Sequence, residues 1–561
     1  MTRRSRLAAA LVAITIAAIA ATAGSPATAD DKASDENRTP ARAAYATIEG
    51  TGSTWSELIV KQWISDVDAN GIKVVYTGGG SSKGRKDFAQ GTTDFAISEI
   101  PYQGTDETGQ ADTSNGRGYA YLPLVAGGTA FTYQLKVGGQ MVKNLRLSGE
   151  TIAKIFTGQI TNWNDAAIAK DNNGRSFPDK QIVPVVRSDG SGTTAQFTTW
   201  LDKAYPSIWR PYFGRSGLTS YYPKKGDVMI AQSGSDQVMN TVSGFAGDGT
   251  IGYVEYSYPL DKDYPVVKVL NQGGYYVEPT QYNTAIALTK ARINMNKADP
   301  TTYLTQILDD VYTNPDPRAY PVSSYSYMLI PTGAQDPRMT TAKRQSLADF
   351  LFYSLCSGQT KAGPFGYSPL PINLVKAGFE QVATLKKADP AVNLTDRDVT
   401  SCNNPTFDPK NPGRNALAEK AEMPAACDKQ GAGPCGTDTG NNSNNAGGDT
   451  PDADPAATPD AGPPSAGAAA PTTPQESAPA AVPPGGGAAP AAGPPGAATG
   501  AEDAAAATSS GDDAVYASST TIDDRPLDSK TFGIVALALL AALILLPGLV
   551  TARVRRRGGS A

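Results

Sequence analysis

The sequence predicts an α/β fold for residues 46–400, and two observations carry this prediction. Short strand-like runs, such as 73–76, 182–186 and 251–256, alternate with amphipathic helical stretches. At three junctions, a loop rich in glycine, serine and threonine opens a helix. The segment is long enough for one two-lobed globular unit or for two domains.

The composition excludes several classes of function. None of the 561 residues is histidine. This absence removes Ser-His-Asp and Cys-His nucleophilic pairs, a histidine general base and His-ligated zinc or iron sites, so we expect no metal and no cofactor. The formal net charge of −5 argues against bulk electrostatic capture of nucleic acid.

The N-terminus has the features of a secretory signal peptide, which we place at residues 1–29. A basic start is followed by an apolar stretch and the small-x-small pattern Ala27-Thr28-Ala29. A transmembrane anchor is the alternative, but Gly24, Ser25 and Pro26 interrupt the stretch. Residues 30–45 are predicted to form a linker.

The C-terminal part predicts a membrane-attached protein. Phe532–Ala552 is an apolar run long enough to cross a bilayer, and we place one transmembrane helix at 531–553. The arginines that follow the run, from Arg553 on, predict a cytoplasmic tail at 554–561. Everything before the span would be outside the cell. Residues 438–528 are rich in alanine, proline and glycine, which predicts a disordered tether.

The four cysteines lie on the exported side, where disulfides persist. Three pairings are possible, and proximity in the sequence favours Cys356–Cys402 and Cys427–Cys435. Cys402, Cys427 and Cys435 lie in a predicted extension, 401–437. Metal ligation is the rival interpretation, but neither C-x-x-C spacing nor histidine supports it.

The three glycine-rich loops are the candidate functional elements. The first is 50–55, where Thr54 and Glu57 have the spacing of a capping box. The second is 77–84, after the strand that ends at Tyr76, and the third is 187–194. The third loop leads into a helix that contains Phe197, Trp200 and Leu201.

Such loops favour the binding of an anion. Free N–H groups and the positive end of the helix dipole meet at each helix N-terminus, and hydroxyl groups add donors. Arg187 adds a planar fork suited to a tetrahedral oxyanion. The alternatives are that each Ser or Thr is only an N-cap, and that Arg187 forms an internal ion pair with Asp189.

Two enzyme motifs partly match the same residues. Gly80-Ser81-Ser82-Lys83-Gly84 matches the G-x-S-x-G nucleophile elbow, but no histidine is present to act as base. Lys83-Gly84-Arg85 has the wrong order for a P-loop. We therefore expect a protein that is not an enzyme and has no catalytic residue.

In their order, these segments resemble the substrate-binding proteins of phosphate ABC importers, the PstS-like members of the periplasmic-binding-protein type 2 superfamily. The resemblance covers about 46–390. It rests on six segments, which are Gly50–Trp55, Gly78–Gly84, Asp94–Glu99, Leu147–Trp163, Arg187–Thr193 and Gly366–Pro371.

The resemblance implies a two-lobed fold with two crossovers, in which 46–125 and 265–400 form lobe I and 126–264 form lobe II. It also implies inorganic phosphate as the ligand in the cleft between the lobes and a phosphate ABC permease as a partner. The phosphate-binding residues that it implies are Thr54, the Trp55 backbone, Ser81, Glu99, Arg187, Ser191, Gly192 and Thr193, with Asp189 in support.

Glu99 departs from the family pattern, which usually has an aspartate at this position. Glutamate keeps an acceptor for the proton that phosphate carries and sulfate lacks, but its added methylene displaces that acceptor by about one bond length. We expect the preference for phosphate to survive with an altered affinity.

The predicted attachment to the membrane also departs from the family pattern. No cysteine follows the signal peptide, and a C-terminal span replaces the lipid anchor that is common in the family. Three roles therefore remain open: delivery of phosphate to a permease, storage at the surface, and sensing. A wall-associated structural protein that keeps the phosphate-binding fold is the alternative function.

Overall fold

The computed structural model describes residues 45–397, 399, 402–408, 410, 411 and 413–436. All of them belong to one compact unit. Within these ranges, no helix is both long enough and apolar enough to cross a bilayer. The predicted signal peptide, tether, transmembrane helix and cytoplasmic tail lie outside the described residues.

The strands of the described residues are short, except for two that lie near the middle of the largest sheet. In chain order they are β1 (Ile48–Gly52), β2 (Val74–Gly78), β3 (Phe95–Ser98), β4 (Gly104–Thr105), β5 (Ala111–Asp112), β6 (Tyr119–Tyr133), β7 (Lys136–Val137), β8 (Gln140–Met141), β9 (Arg146–Leu147), β10 (Val183–Arg187), β11 (Ile230–Gln232), β12 (Thr250–Glu255), β13 (Lys268–Leu270), β14 (Tyr276–Val277), β15 (Arg292–Ile293), β16 (Gln306–Ile307) and β17 (Ser323–Pro331).

Helices separate most of these strands, so the predicted α/β alternation is confirmed. The helices are α1 (Glu57–Asp68), α2 (Ser81–Ala89), α3 (Gly149–Phe156), α4 (Ala166–Asp171), α5 (Gly192–Ala204), α6 (Pro206–Phe213), α7 (Gly234–Ser243), α8 (Ser257–Asp261), α9 (Gln281–Leu288), α10 (Asp309–Tyr312), α11 (Thr341–Leu355), α12 (Ile372–Ala388) and α13 (Ala416–Lys420).

An eight-stranded mixed sheet runs through both lobes in the order β11-β10-β12-β6-β17-β3-β1-β2. At one end, β1 pairs in parallel with β2 and β3, and at the other end β10 pairs in parallel with β11 and β12. The antiparallel pair of β6 and β17 joins these two parallel ends. The fold therefore has two lobes, each built on its own parallel strands.

Strand β6 belongs to both lobes. Its first part, to Gly128, pairs with β17, and its second part, from Thr129, pairs with β12. Two glycines lie beside this change of partner, where a β-carbon on Gly127 would be 2.6 Å from the Trp55 ring and one on Gly128 would be 2.5 Å from Pro279. Only glycine allows such close packing at the crossing. The lobe boundary proposed from the sequence, between 125 and 126, falls inside this strand.

Aromatic side chains form much of the core of the second lobe. Phe197 on α5 has its ring centroid 4.9 Å from Tyr253 on β12, 5.1 Å from Phe156 on α3 and 5.2 Å from Phe131 on β6. Pairs at these distances add to the free energy gained from burial. They hold α5, and therefore the loop that precedes it, firmly against the sheet.

The residues after 401 form an extension that contacts both lobes. Disulfides join Cys356 to Cys402 and Cys427 to Cys435, which confirms the favoured pairing. Near the first disulfide, the Thr406 hydroxyl donates to the Leu370 carbonyl at 2.9 Å in lobe I. Near the second, Arg146 Nη1 donates to the Cys427 carbonyl at 3.0 Å in lobe II. The extension therefore connects the lobes outside the central sheet.

A buried carboxyl lies where β12 leaves the sheet. Glu255 has no exposed surface, and one of its oxygens accepts the Ser257 N–H at 2.6 Å. Burial raises the pKa of Glu255 well above its ordinary 4.5, although hydrogen bonds from Ser257 and from the Tyr256 backbone act in the opposite direction. The Ser257 hydroxyl donates to the Tyr367 hydroxyl at 3.1 Å, and Tyr367 donates to the Trp55 carbonyl at 2.7 Å. Ser257 therefore links this carboxyl to the residues just before α1.

The raised pKa makes stability dependent on pH. In the unfolded chain Glu255 titrates near 4.5, whereas in the folded chain it keeps its proton to higher pH. Its contribution to stability is therefore complete below pH 4.5 and is lost as the pH rises towards the folded pKa, at about 1.4 kcal/mol per pH unit. We expect Glu255→Gln, which cannot titrate, to flatten the free energy of unfolding measured between pH 5 and pH 9.

Denaturant titrations of both proteins across this range provide the measurement. Glu380→Gln is a suitable control, because that carboxyl lies on the surface of α12. Parallel pH profiles for the wild type and Glu255→Gln would contradict this account of the buried carboxyl.

Candidate functional site

The three glycine-rich loops meet between the two lobes, at the carboxyl ends of β1, β2 and β10. Gly79 and Gly80 in the second loop donate their N–H groups to the Gly52 carbonyl in the first, both at 2.8 Å. Ser82 donates its N–H across the cleft to the Gly190 carbonyl in the third loop at 3.0 Å. Helices α2 and α5 both begin here, so the positive ends of two helix dipoles converge on one place.

A buried ion pair dominates the electrostatics of the third loop. Arg187 is 2% exposed, and its Nε donates to Asp189 Oδ1 at 2.7 Å while Nη2 pairs with the other carboxylate oxygen. Burial lowers the pKa of Arg187, but the hydrogen bonds and charge of Asp189 outweigh it, so the pKa lies above its ordinary value. Asp189 also accepts the Gly234 N–H at 3.1 Å. Arg187 therefore stays charged and is held in a fixed orientation.

Arg187 and Thr54 share one partner, Ser235 at the start of α7. Arg187 Nη1 donates to Ser235 Oγ at 3.2 Å, and the hydroxyls of Thr54 and Ser235 lie 3.0 Å apart. The Ser235 N–H also donates to Thr54 Oγ1, at 3.2 Å. These bonds connect the first loop, in lobe I, to the arginine in lobe II.

The Thr54 hydroxyl does not cap α1, so the predicted capping box is wrong. The helix begins at Glu57, and its N-cap residue is Ser56. The Ser56 side chain makes no capping hydrogen bond. Ser53 instead accepts the Trp55 N–H at 2.9 Å. Glu57 pairs with Lys61 at 2.8 Å. The contact with Ser235 across the cleft has replaced the local bond that the spacing predicted.

Glu99 lies at the centre of the site with no exposed surface. One carboxylate oxygen accepts from the Ser81 hydroxyl at 2.6 Å, and the other accepts from the Ser326 hydroxyl at 2.9 Å. The Gly192 N–H donates to Ser81 Oγ at 3.1 Å. A β-carbon on Gly192 would lie 1.8 Å from the Glu99 carboxylate, so only glycine fits where the two lobes meet.

The N-terminus of α5 supplies the remaining predicted residues. Ser191 is its N-cap and accepts the Thr194 N–H at 3.1 Å, so its hydroxyl has the ordinary capping role that was the alternative interpretation. Thr193 is 1% exposed, and its hydroxyl has no hydrogen-bond partner among the residues that the structure describes. A buried hydroxyl without a partner is costly, which makes this group a candidate for contact with a ligand.

The structure thus brings the predicted residues together, with two differences in how they are used. The Trp55 N–H donates to Ser53 Oγ. Arg187, which is predicted to bind the ligand, also forms an ion pair with Asp189. Two further residues of the site, Ser235 and Ser326, are not among those predicted from the sequence. Ser233-Gly234-Ser235 has the same pattern of a Gly/Ser loop that opens a helix after a strand, so this signal was available. Ser326 lies within β17 and carries no such pattern.

The chemistry available at this site is that of hydrogen bonding to an anion. It offers backbone N–H groups, hydroxyls, one guanidinium and one carboxylate. In the described part of the chain, no group of three or more His, Cys, Asp or Glu side chains is placed to hold a metal ion.

Comparisons with known proteins agree with this architecture. A family model described as a PBP superfamily domain matches residues 36–357, more than half of the chain. The phosphate-binding protein PstS of Methanocaldococcus jannaschii is 29% identical over 346 residues, which are 61% of this chain and 86% of that protein. The PstS of Xylella fastidiosa strain Temecula1 is 31% identical over 330 residues, which are 59% and 83% of the two chains.

Among solved structures, the high-affinity periplasmic phosphate-binding protein PfluDING with bound phosphate superposes with a TM-score of 0.47 at 19% identity, over 64% of this chain and 99% of that one. The family model and the sequence relatives identify the chain. It belongs to the PBP superfamily and, within it, to the PstS-like substrate-binding proteins, which are not enzymes.

Proposed function

We propose that this chain binds inorganic phosphate in the cleft between its lobes and serves as the substrate-binding component of phosphate import. The observation that carries the proposal is the buried Thr193 hydroxyl at the N-terminus of α5, which finds no hydrogen-bond partner in the described part of the chain. It lies next to Gly192, which contacts Ser81 from the opposite lobe. The relatives named above are phosphate-binding proteins, and this name supports the same ligand.

In this proposal the donors come from both lobes, so that ligand binding and lobe closure support each other. Thr54, the Trp55 backbone and Ser81 donate from lobe I, while Arg187, Ser191, Gly192 and Thr193 donate from lobe II. A phosphate ion is desolvated only where charge-assisted donors replace its water. The bonds that now occupy the Trp55 N–H, the Ser81 hydroxyl and the Gly192 N–H would be exchanged for bonds to phosphate oxygens. The Ser191 hydroxyl only accepts its capping bond, so its proton stays available to the ligand.

Glu99 supplies selectivity in the same proposal. Phosphate at neutral pH carries a proton that it can donate to a carboxylate, whereas sulfate carries none. Sulfate would leave the buried carboxylate facing an unprotonated oxygen, which is an unpaired and repulsive contact. The bonds from Ser81 and Ser326 orient this carboxylate before the ligand arrives.

We also propose that the chain is exported and attached to the cell membrane. The support comes from the sequence alone, because the signal peptide at 1–29, the tether at 438–528 and the apolar run at 531–553 lie outside the described residues. In this proposal the described residues lie outside the membrane, and the tether holds them at a distance from it.

Replacing Thr193 tests the proposed site directly. Thr193→Val keeps the shape of the side chain and removes only its hydroxyl. We expect phosphate binding to weaken about two- to tenfold, because one neutral hydrogen bond is lost. Thermal stability should stay the same or rise, since a buried hydroxyl without a partner is removed. Isothermal titration and thermal unfolding measure the two effects.

Arg187→Ala provides the comparison, with an expected loss of about tenfold or more in affinity. This variant also leaves the Asp189 carboxylate without its cation, so the stability of the variant should fall. If Thr193→Val bound phosphate with unchanged affinity, the proposed position of the ligand at α5 would be wrong.

Replacing Glu99 tests the source of selectivity. The amide of Glu99→Gln has no negative charge and can donate to an oxyanion, so we expect the preference for phosphate over sulfate to fall about tenfold or more. Competition titrations at pH 7 with the two anions give this ratio. A ratio unchanged from that of the wild type would refute the role assigned to the carboxylate.

A further inference from the structure

A short hairpin of lobe I extends across the mouth of the cleft. Its strands are β4 and β5, which pair in antiparallel fashion. The Asp106 carboxylate accepts the N–H groups of Thr108 and Gln110, both at 2.9 Å, and the Asp106 N–H donates to the Gln110 carbonyl at 2.8 Å. The turn is therefore held in shape by its own hydrogen bonds.

A buried ion pair attaches the base of this hairpin to α2. Arg85 Nε donates to Asp112 Oδ1 at 3.0 Å, and Nη2 donates to Oδ2 at 2.8 Å. The two side chains are only 2% and 9% exposed. Arg85 Nη1 also donates to Ser98 Oγ at 3.0 Å, immediately before Glu99 in the chain. The hairpin is thus anchored to the helix whose first residue, Ser81, lies in the site.

The tip of the hairpin reaches the other lobe. Glu107 Oε1 accepts the backbone N–H of Ser220, a buried residue of lobe II. The Ser220 carbonyl accepts the Ser191 N–H at 2.9 Å, and Ser191 is the N-cap of α5. One chain of contacts therefore runs from α2 of lobe I through Asp112 and Glu107 to the proposed phosphate loop of lobe II.

We propose that Glu107 is a positioning residue that sets the lifetime of the phosphate complex. Its carboxylate bonds to Ser220 across the cleft, so the bond exists only when the lobes are closed. An enclosed ligand can leave only after this bond breaks, whereas a ligand that enters the open cleft meets no such bond. Glu107 therefore acts on dissociation, and it does so through the backbone of Ser220 and not through a contact with phosphate.

This inference rests on the proposed function, and stopped-flow kinetics with inorganic phosphate test it on the full chain. Glu107→Ala removes a charged acceptor, so we expect phosphate to dissociate about tenfold faster or more while the association rate changes less than about twofold. Glu107→Gln keeps an oxygen that can accept the same N–H, and its dissociation rate should lie nearer that of the wild type. Glu150→Ala, an exposed acidic residue on α3, is the matched control and should match the wild type.

Hydrogen exchange of the segment around Ser220, measured both without phosphate and in saturating phosphate, separates the two claims. In whichever state the closed lobes protect the Ser220 amide of the wild type, loss of the acceptor in Glu107→Ala should speed its exchange. Unchanged exchange, or faster exchange with an unchanged phosphate dissociation rate, would overturn the inference. Faster exchange in a protein whose wild type binds no phosphate would support the cross-cleft bond and overturn the proposed function alone.

Discussion

The ion pair between Arg187 and Asp189 is the interaction on which the site depends. A guanidinium that is 2% exposed is tolerated only if a carboxylate and further hydrogen bonds replace its water. Asp189 occupies Nε and Nη2, and the Gly234 N–H binds the same carboxylate. This arrangement directs Nη1 towards Ser235. The pair therefore fixes both the charge of the third loop and the positions of the neighbouring loop before α7.

Closure of the lobes follows from the same network. Thr54 reaches Ser235 across the cleft, and Gln196 on α5 donates to the Glu99 carbonyl at 2.8 Å. Each of these bonds joins a residue of lobe I to a residue of lobe II, so the cleft closes through polar groups that are themselves buried. The extension after 401 adds contacts to both lobes. A pocket of this type suits an ion that must be stripped of water and later released.

Local sequence was sufficient to predict the α/β alternation, the three glycine-rich loops and both disulfides. The loops were recognisable because glycine, hydroxyl residues and an adjacent strand occur together within a few positions. The capping box at Thr54 failed because a contact with Ser235, distant in the chain, outweighed a local bond. Ser326 and Glu107 act through partners 227 and 113 residues away, and such pairings arise only from the folded topology.

A crystal structure of the protein with phosphate would test the central claim most directly. The account predicts a phosphate ion enclosed between the lobes, with oxygens within hydrogen-bond distance of Thr193 Oγ1 and the Arg187 guanidinium, and with its proton facing Glu99. Phosphate bound elsewhere on the protein, with the Thr193 hydroxyl still unpartnered, would contradict the account.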